Sequence, residues 1–184
     1  MSRRRVLLGL AAAAAVSLVP RRSRAAHRIR PPGALPPGTF EKTCIGCFRC
    51  AEVCPPKCID FTSSLSADSG TPTLDLRAKA CTLCMRCTQV CPTDALQPIV
   101  AERDAVAARV RMGTPQLDRK RCLPWSGGGS CSLCFQVCPY PDRAVELVGL
   151  NAGPLFHPEA CVGCGLCEEA CPSLARAIHI EPVP

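Results

Sequence analysis

Apolar residues occur along this chain in one long block near the N-terminus and afterwards in short runs separated by polar residues, proline and glycine. The block extends from Val6 to Val19, 14 residues, and is shorter than the roughly 20 residues that a bilayer-spanning helix needs. Only Val100–Met112 has the spacing of a longer helix, because Val106 and Val110 would share one apolar face. The remaining short runs predict short strands and single helical turns.

A repeated unit organises the rest of the chain, with a period of about 30 to 50 residues. Each unit has an extended approach, a cysteine loop with a helical turn, and an extended return, which predicts an α+β fold of short β-hairpins and short helices. The predicted approaches are Thr39–Thr43, Thr73–Arg77, Gln116–Arg121 and Leu155–Pro158. The predicted returns are Lys57–Thr62, Ala95–Val100, Ala144–Val148 and Ala177–Pro182.

A proline- and glycine-rich segment precedes the first unit. Six residues of Arg28–Gly38 are Pro or Gly, which disfavour helix. We therefore expect residues 26–38 to be an extended lead-in to one domain, residues 39–184.

Sixteen of the 17 cysteines form four runs, and each run ends in Cys-Pro. Three runs have the spacing C-x2-C-x2-C-x3-C-P, and the third run lengthens only its first gap. In this spacing, three thiolates hold one [4Fe–4S] cluster and the fourth reaches the neighbouring cluster. The predicted ligands of four clusters are Cys44, Cys47, Cys50 and Cys54; Cys81, Cys84, Cys87 and Cys91; Cys122, Cys131, Cys134 and Cys138; and Cys161, Cys164, Cys167 and Cys171. The pattern resembles a bacterial 2[4Fe–4S] ferredoxin that has been duplicated into two modules.

Zinc and disulfides are the other chemistries that so many cysteines could serve. Zinc sites usually pair two C-x2-C knuckles across a longer gap, whereas every run here has a third and a fourth cysteine in step. Disulfide frameworks rarely repeat one tetrad four times, and cysteines separated by two residues bridge poorly. Both alternatives are therefore disfavoured.

Cys58 is the one cysteine outside the four runs. The residues four positions after the last cysteine of each run are Cys58, Ala95, Asp142 and Ala175, with Ala144 two residues later in the third. We expect Cys58 to replace a small packing residue, because a buried free cysteine behaves as a small hydrophobe. A ligand or redox role is the alternative.

The N-terminus has the features of an export signal. A twin-arginine start within Arg3–Arg5 precedes the apolar block, and small residues near Ala25 and Ala26 provide a plausible cleavage site. We therefore predict that residues 1–25 are a signal peptide of the twin-arginine route, which carries proteins folded with their clusters, and that there is no permanent membrane anchor. A disordered basic tail is the alternative.

The basic composition belongs mainly to this N-terminal segment. The formal charge of +7 falls to about +1 when the six arginines of residues 1–25 are removed. Because each oxidised cluster with its thiolates carries about 2−, we expect the holo protein to be acidic. Aromatic residues make up only 4% of the chain, and no basic stripe interleaves with them, so nucleic acid is excluded as a partner.

Catalytic groups are not evident in the sequence. No nucleophile–base pair or pair of carboxylates stands out, so we expect an electron carrier rather than an enzyme. His27, His157 and His179 are too scattered to form a metal site. Trp125 is expected to pack over the cluster of the third run.

The residues also resemble the MauM/NapG-type ferredoxins, which are exported four-cluster proteins. The resemblance rests on the twin-arginine start, the Arg30–Leu35 sequence RPPGAL, and the stretched third run that begins Cys122-Leu123. It implies a periplasmic protein that passes electrons between a membrane-bound quinol-oxidising ferredoxin-type protein and a periplasmic oxidoreductase. Nitrate reduction and methylamine use are both open as pathways, because Cys84–Cys87 has a shorter gap than relatives on the nitrate side.

Two other classes of function are compatible with the sequence. The chain could be the stably bound iron–sulfur subunit of an exported molybdenum-type oxidoreductase, or a non-redox structural or iron-sensing protein. A catalytic subunit that co-purifies would favour the first, and clusters without reversible reduction would favour the second.

The spacing of the runs leaves open which runs exchange their fourth cysteines. Runs one and two, and runs three and four, could exchange sequentially, or the outer and the inner runs could pair in a nested arrangement. Resemblance to related four-cluster subunits favours the nested form. Its sets would be Cys44, Cys47 and Cys50 with Cys171; Cys161, Cys164 and Cys167 with Cys54; Cys81, Cys84 and Cys87 with Cys138; and Cys122, Cys131 and Cys134 with Cys91.

Overall fold

The computed structural model describes residues 28–63 and 69–183, so the predicted signal peptide lies outside the described residues. The helices are α1 (Phe40–Thr43), α2 (Arg49–Glu52), α3 (Arg86–Gln89), α4 (Arg103–Arg109), α5 (Leu123–Ser126), α6 (Leu133–Gln136) and α7 (Leu166–Glu169). The strands are β1 (Ile59–Phe61), β2 (Pro72–Leu74), β3 (Gly113–Leu117), β4 (Val145–Val148), β5 (Gly153–Phe156) and β6 (Ile178–Pro182). Within these ranges, no helix is long and apolar enough to cross a membrane.

The strands form three antiparallel pairs. Strand β1 pairs with β2, and β4 pairs with β5, so each pair joins two consecutive cysteine runs. Strand β3, which precedes the third run, pairs with β6, which follows the fourth run. In the N-terminal half an isolated bridge between Ala34 and Leu96 occupies the corresponding place, joining the lead-in to the chain after the second run.

Three of the four predicted returns are confirmed as strands. Strands β1, β4 and β6 lie within them. The return Ala95–Val100 is wrong as a strand, because only Leu96 forms a bridge there. Pro98 has no N–H to donate to a ladder, and the lead-in that faces this segment is itself rich in proline.

The predicted approaches differ from the observed elements, mainly in their boundaries. Strands β2, β3 and β5 overlap three of them, but each strand begins earlier and ends sooner than predicted. Thr39–Thr43 is wrong as an extended segment, because α1 occupies it. The Cys44 amide donates to the Phe40 carbonyl and closes that helical turn, which buries the Phe40 side chain completely.

Helix α4 is shorter than the predicted Val100–Met112. It ends at Arg109, and Val110 already has an extended backbone. Val106 and Val110 are both buried, as their spacing predicted. The apolar face was therefore predicted correctly, but it extends beyond the helix itself.

The lead-in packs firmly on the rest of the N-terminal half. The Arg30 guanidinium forms a 2.6 Å ion pair with Glu41 and donates hydrogen bonds to the Thr71 hydroxyl and the Pro72 carbonyl. It also lies 5.1 Å from the centre of the Phe40 ring. These contacts make the lead-in part of the core that surrounds the first cysteine run.

The N- and C-terminal halves meet at the second and fourth cysteine runs. The amide of Cys81 donates a 2.8 Å hydrogen bond to the carbonyl of Cys164. Next to this contact, Gly165 has a φ of +83°, and a Cβ added there would lie 2.7 Å from Leu76 Cβ. Glycine therefore allows the fourth run to pack directly against the chain that leads into the second.

Candidate iron–sulfur sites

Each cysteine triplet lines a small cavity, and a neighbouring run contributes a fourth cysteine to its wall. The first site consists of Cys44, Cys47, Cys50 and Cys91. The second site consists of Cys81, Cys84, Cys87 and Cys54. The third site consists of Cys122, Cys131, Cys134 and Cys171. The fourth site consists of Cys161, Cys164, Cys167 and Cys138. All sixteen predicted ligands thus line these four cavities.

The nested exchange of fourth cysteines is wrong, because the sites exchange sequentially. Cys54 lies in the second site, beside Cys81, and Cys91 lies in the first. The physical reason is the pairing of strands. The β1–β2 pair connects runs one and two, and the β4–β5 pair connects runs three and four. After the first and the third run, the chain therefore turns back directly, and the next run packs beside the one before it.

The arrangement of the thiols fits a cluster better than a single metal ion. Among residues 28–63 and 69–183, no group of three or more His, Cys, Asp or Glu side chains has a geometry that could hold one ion. Four free thiols instead line the first, third and fourth cavities, and five, including Cys58, line the second. Thiols placed around a volume, rather than converging on a point, suit a cubane in which each iron takes one thiolate. When bound, such a cluster would supply reversible one-electron chemistry.

A common backbone turn places the cysteines of runs one, two and four. The residues just before and just after the second cysteine have left-handed conformations, and the helix that follows contains the third cysteine. This conformation costs little for glycine and more for other residues. The left-handed pairs are Gly46 and Phe48, Leu83 and Met85, and Gly163 and Gly165.

The third run also places its cysteines around a cavity, but its longer first gap has a different backbone. Helix α5 follows directly after Cys122, and Gly127, with a φ of +80°, ends it. The chain then returns to Cys131, and both cysteines line the third site. The lengthened gap thus begins with a helix that Gly127 caps.

Trp125 does not pack over the third site as expected. Its indole N–H donates a 3.1 Å hydrogen bond to the Pro154 carbonyl, and its ring covers Gly153. The Arg119 guanidinium lies 4.4 Å from the ring centre. Trp125 therefore anchors α5 to β5, next to the cavity but outside its lining.

Backbone amides donate hydrogen bonds to several of the ligand sulfurs. The Leu96 amide lies 3.4 Å from Cys91 Sγ, and the Ala177 amide lies 3.3 Å from Cys171 Sγ. The Gly163 amide donates to Cys161 Sγ at 3.4 Å. Hydrogen bonds of this kind stabilise negative charge on sulfur and raise the reduction potential of a cluster.

Burial opposes ionisation of most of the thiols. It raises the pKa of Cys164 to about 12 and that of Cys134 to about 11. Burial also acts on Cys91, but hydrogen bonds from the Leu96 and Thr93 amides outweigh it, and the pKa of Cys91 is lowered. Cluster binding would therefore release protons from the buried thiols as they become ligands.

Cys58 is buried, as expected of a small packing residue. It directly precedes β1, as Ala144 precedes β4 and Ala177 precedes β6, so Ala177 rather than Ala175 is its counterpart in the fourth run. Cys58 Sγ lies 3.6 Å from Cys54 Sγ. A hydrogen bond to Cys81 and then burial raise the pKa of Cys58. The contact with Cys81 was missed from the sequence because the two cysteines belong to different units.

The histidines contact carboxylates. His157 lies between Glu146 and Glu159, and His179 Nδ1 lies 3.2 Å from Glu168, while His27 is outside the described residues. The sequence reasoning also missed Glu168, which is buried and accepts a 2.9 Å hydrogen bond from the Ile180 amide. This carboxylate ties the helix of the fourth run to β6.

Family comparisons agree with the chemistry of these sites. A family model described as a 4Fe-4S dicluster domain matches residues 43–95, and one described as a 4Fe-4S double cluster binding domain matches residues 80–141. A third, a 4Fe-4S binding domain, matches residues 154–176. With the short helices and strands around the cysteine loops, these matches indicate a ferredoxin-like fold that binds iron–sulfur clusters.

Curated relatives match most of the chain. The methylamine utilization ferredoxin-type protein MauM of Methylophilus methylotrophus is 34% identical over 172 residues, 88% of this chain and 74% of the relative. The ferredoxin-type protein NapG of Escherichia coli is 35% identical over 172 residues, 85% of this chain and 71% of the relative. MauM of Paracoccus denitrificans is 34% identical over 166 residues, covering 85% and 72%. This chain therefore belongs to the family of MauM and NapG ferredoxin-type proteins.

Proposed function

We propose that this protein is a periplasmic electron relay with four [4Fe–4S] clusters, one in each of the four sites, and no substrate of its own. Residues 39–184 would form two 2[4Fe–4S] modules, each with two clusters that exchange their fourth ligands. The sequential exchange of Cys54 with Cys91, and of Cys138 with Cys171, supports this division.

The contact between the two halves carries the proposal. Cys81 of the second site and Cys164 of the fourth site share a 2.8 Å backbone hydrogen bond. The first site adjoins the second through exchanged ligands, and the third adjoins the fourth in the same way. The order of the clusters is therefore first, second, fourth, third, which differs from their order in sequence.

The two ends of this series lie close to solvent. At the first site, Cys47 is exposed, and the side chains of Ile45 and Phe48 beside it are 66% and 51% exposed. At the third site, Leu123 and Leu133 of the cavity lining are also exposed. An electron could therefore enter at one end and leave at the other.

The proposed partners are a membrane-bound quinol-oxidising ferredoxin-type protein and a periplasmic oxidoreductase. Residues 1–25 would direct export by the twin-arginine route. Redox encounters of this kind usually have small, weak interfaces, and an acidic holo protein would be steered toward basic patches on its partners. We therefore expect association rates that fall as ionic strength rises.

The test uses the holo protein purified without oxygen. Dithionite should bleach its broad visible absorption by reducing the clusters, and an added oxidised partner should restore the absorption at a rate that falls with salt. Turnover of a small molecule by the pure protein, or clusters that cannot be reduced at any accessible potential, would overturn the proposal. If a catalytic subunit co-purifies with this protein in a constant ratio, the protein is a stably bound iron–sulfur subunit rather than a mobile relay.

A further inference from the structure

At one equivalent position beside the four cavities, the side chain is not the same in every site. In each site, the fourth ligand is followed by a small buried residue just before the next strand or bridge. That residue is alanine beside the first, third and fourth sites and cysteine beside the second. The four residues are Ala95, Ala177, Ala144 and Cys58.

Ala95 is the closest counterpart of Cys58. Each lies four residues after the fourth ligand of its site, Cys91 or Cys54. Each also donates its backbone N–H to the sulfur of that ligand. The two positions therefore correspond, and the chemical difference between their side chains is a thiol in place of a hydrogen on the β-carbon.

The Cys58 thiol contacts a ligand of the second site. Its sulfur is 3.6 Å from Cys54 Sγ, within the range of a hydrogen bond to sulfur, and it lines the same cavity as Cys81. Once Cys54 is bound to iron as a thiolate, it has no proton to donate. Cys58 must then be the donor in this contact, whereas the methyl group of an alanine could donate nothing.

We propose that Cys58 sets the reduction potential of the second site by donating an S–H hydrogen bond to a ligand sulfur there. Reduction adds an electron to the cluster and its thiolates, and a donor on sulfur stabilises that added charge. The second cluster therefore has a higher potential than it would have with alanine at position 58. Cys58 is a positioning residue here and does not bind iron.

This inference rests on the proposed function, since it assumes a cluster in the second site. In the proposed series the second site lies between the first and the fourth. A raised potential there would retain an electron on an inner cluster, away from the exposed Cys47 of the first site.

The test compares three variants of the holo protein by reductive titration followed by electron paramagnetic resonance. Cys58→Ala should lower the potential of one cluster and leave the others unchanged, with the iron content intact. Cys58→Ser, which retains a donor, should restore most of that shift. Ala95→Cys places a thiol at the matching position of the first site and should raise the potential of a different cluster.

Several outcomes would overturn the inference. If Cys58→Ala leaves every potential unchanged while the iron content is complete, Cys58 is a packing residue only. If Cys58→Ala loses the iron of one cluster, Cys58 is a ligand. If Cys58→Ala does not assemble, Ala95→Cys decides, because an unmoved potential in that variant contradicts the mechanism. If the wild-type protein contains no [4Fe–4S] clusters, the proposed function and this inference both fail. Iron and sulfide analysis of the same sample distinguishes that outcome from the others.

Discussion

Cys81 and Cys164 are joined by a 2.8 Å hydrogen bond from the amide of one to the carbonyl of the other. This contact places the second and fourth cysteine runs side by side, while the first and third runs lie at opposite ends of the series. Each of the two residues is also a candidate ligand, so a backbone bond links two neighbouring sites directly. The electron path we propose depends on this contact.

The exchange of ligands predicts how cysteine substitutions combine. Cys54→Ser and Cys81→Ser should each lose about four irons, and the double variant should also lose about four, because both residues belong to the second site. Cys54→Ser with Cys161→Ser should lose about eight. Iron and sulfide analysis of anaerobically reconstituted protein measures this. The nested arrangement requires the opposite result, since Cys54 and Cys161 would then share one cluster.

The unsubstituted holo protein should contain about sixteen irons and sixteen sulfides per chain, because each of the four sites suits one cubane. Metal and acid-labile sulfide determinations on anaerobic samples provide the count. Cys58→Ala should leave the total unchanged and is the matched control, since Cys58 lies outside the four cysteine runs. A count near eight, or zinc as the principal metal, would contradict this assignment.

Two glycines with the same backbone angle should respond differently to alanine. Gly163 and Gly149 both have a φ of +73°, but a Cβ on Gly163 would lie 2.3 Å from the Gly113 nitrogen, whereas nothing lies within 4 Å of one on Gly149. Gly149→Ala should cost only the backbone strain, about 1 kcal/mol. Gly163→Ala should cost several times as much and should lower the temperature of holo-protein unfolding far more. Equal unfolding temperatures for the two variants would show that the close approach to Gly113 has no importance for stability.

Export should depend on the arginines near the N-terminus. Because Arg3-Arg4 and Arg4-Arg5 both form pairs, all three residues should be changed to lysine together. We expect the triple variant to remain in the cytoplasm with its clusters assembled, as measured by fractionation and iron content. Triple-variant protein found in the periplasm would refute the twin-arginine assignment.

The cysteine spacing was enough to predict which sixteen cysteines line the four cavities but not how the runs exchange their fourth cysteines. All four runs end in the same Cys-x3-Cys-Pro, so nothing local distinguishes the partner that Cys54 or Cys138 will join. The exchange partner is determined by the pairing of strands of three or four residues, and that pairing depends on tertiary contacts. Resemblance to other four-cluster subunits therefore led to the wrong exchange.

Local pattern also failed where a single contact determined the structure. The sequence of Thr39–Thr43 predicts an extended segment. In the structure it forms a helical turn in which Phe40 is buried next to Arg30. The position of Cys58 as a small buried residue could be predicted from the repeats. Its contact with Cys81 could not, because it depends on how the second run folds back onto the first.

The sequential exchange has a consequence for the order in which the protein is made. The ligands of the first and second sites all lie between Cys44 and Cys91. Both sites are therefore complete in the nascent chain before the third run has been translated, whereas a nested first site would wait for Cys171. The loops that must close are also shorter, which lowers the entropy cost of bringing the ligands together. The N-terminal half would therefore hold every proposed ligand of its two sites while the ribosome is still synthesising the other half.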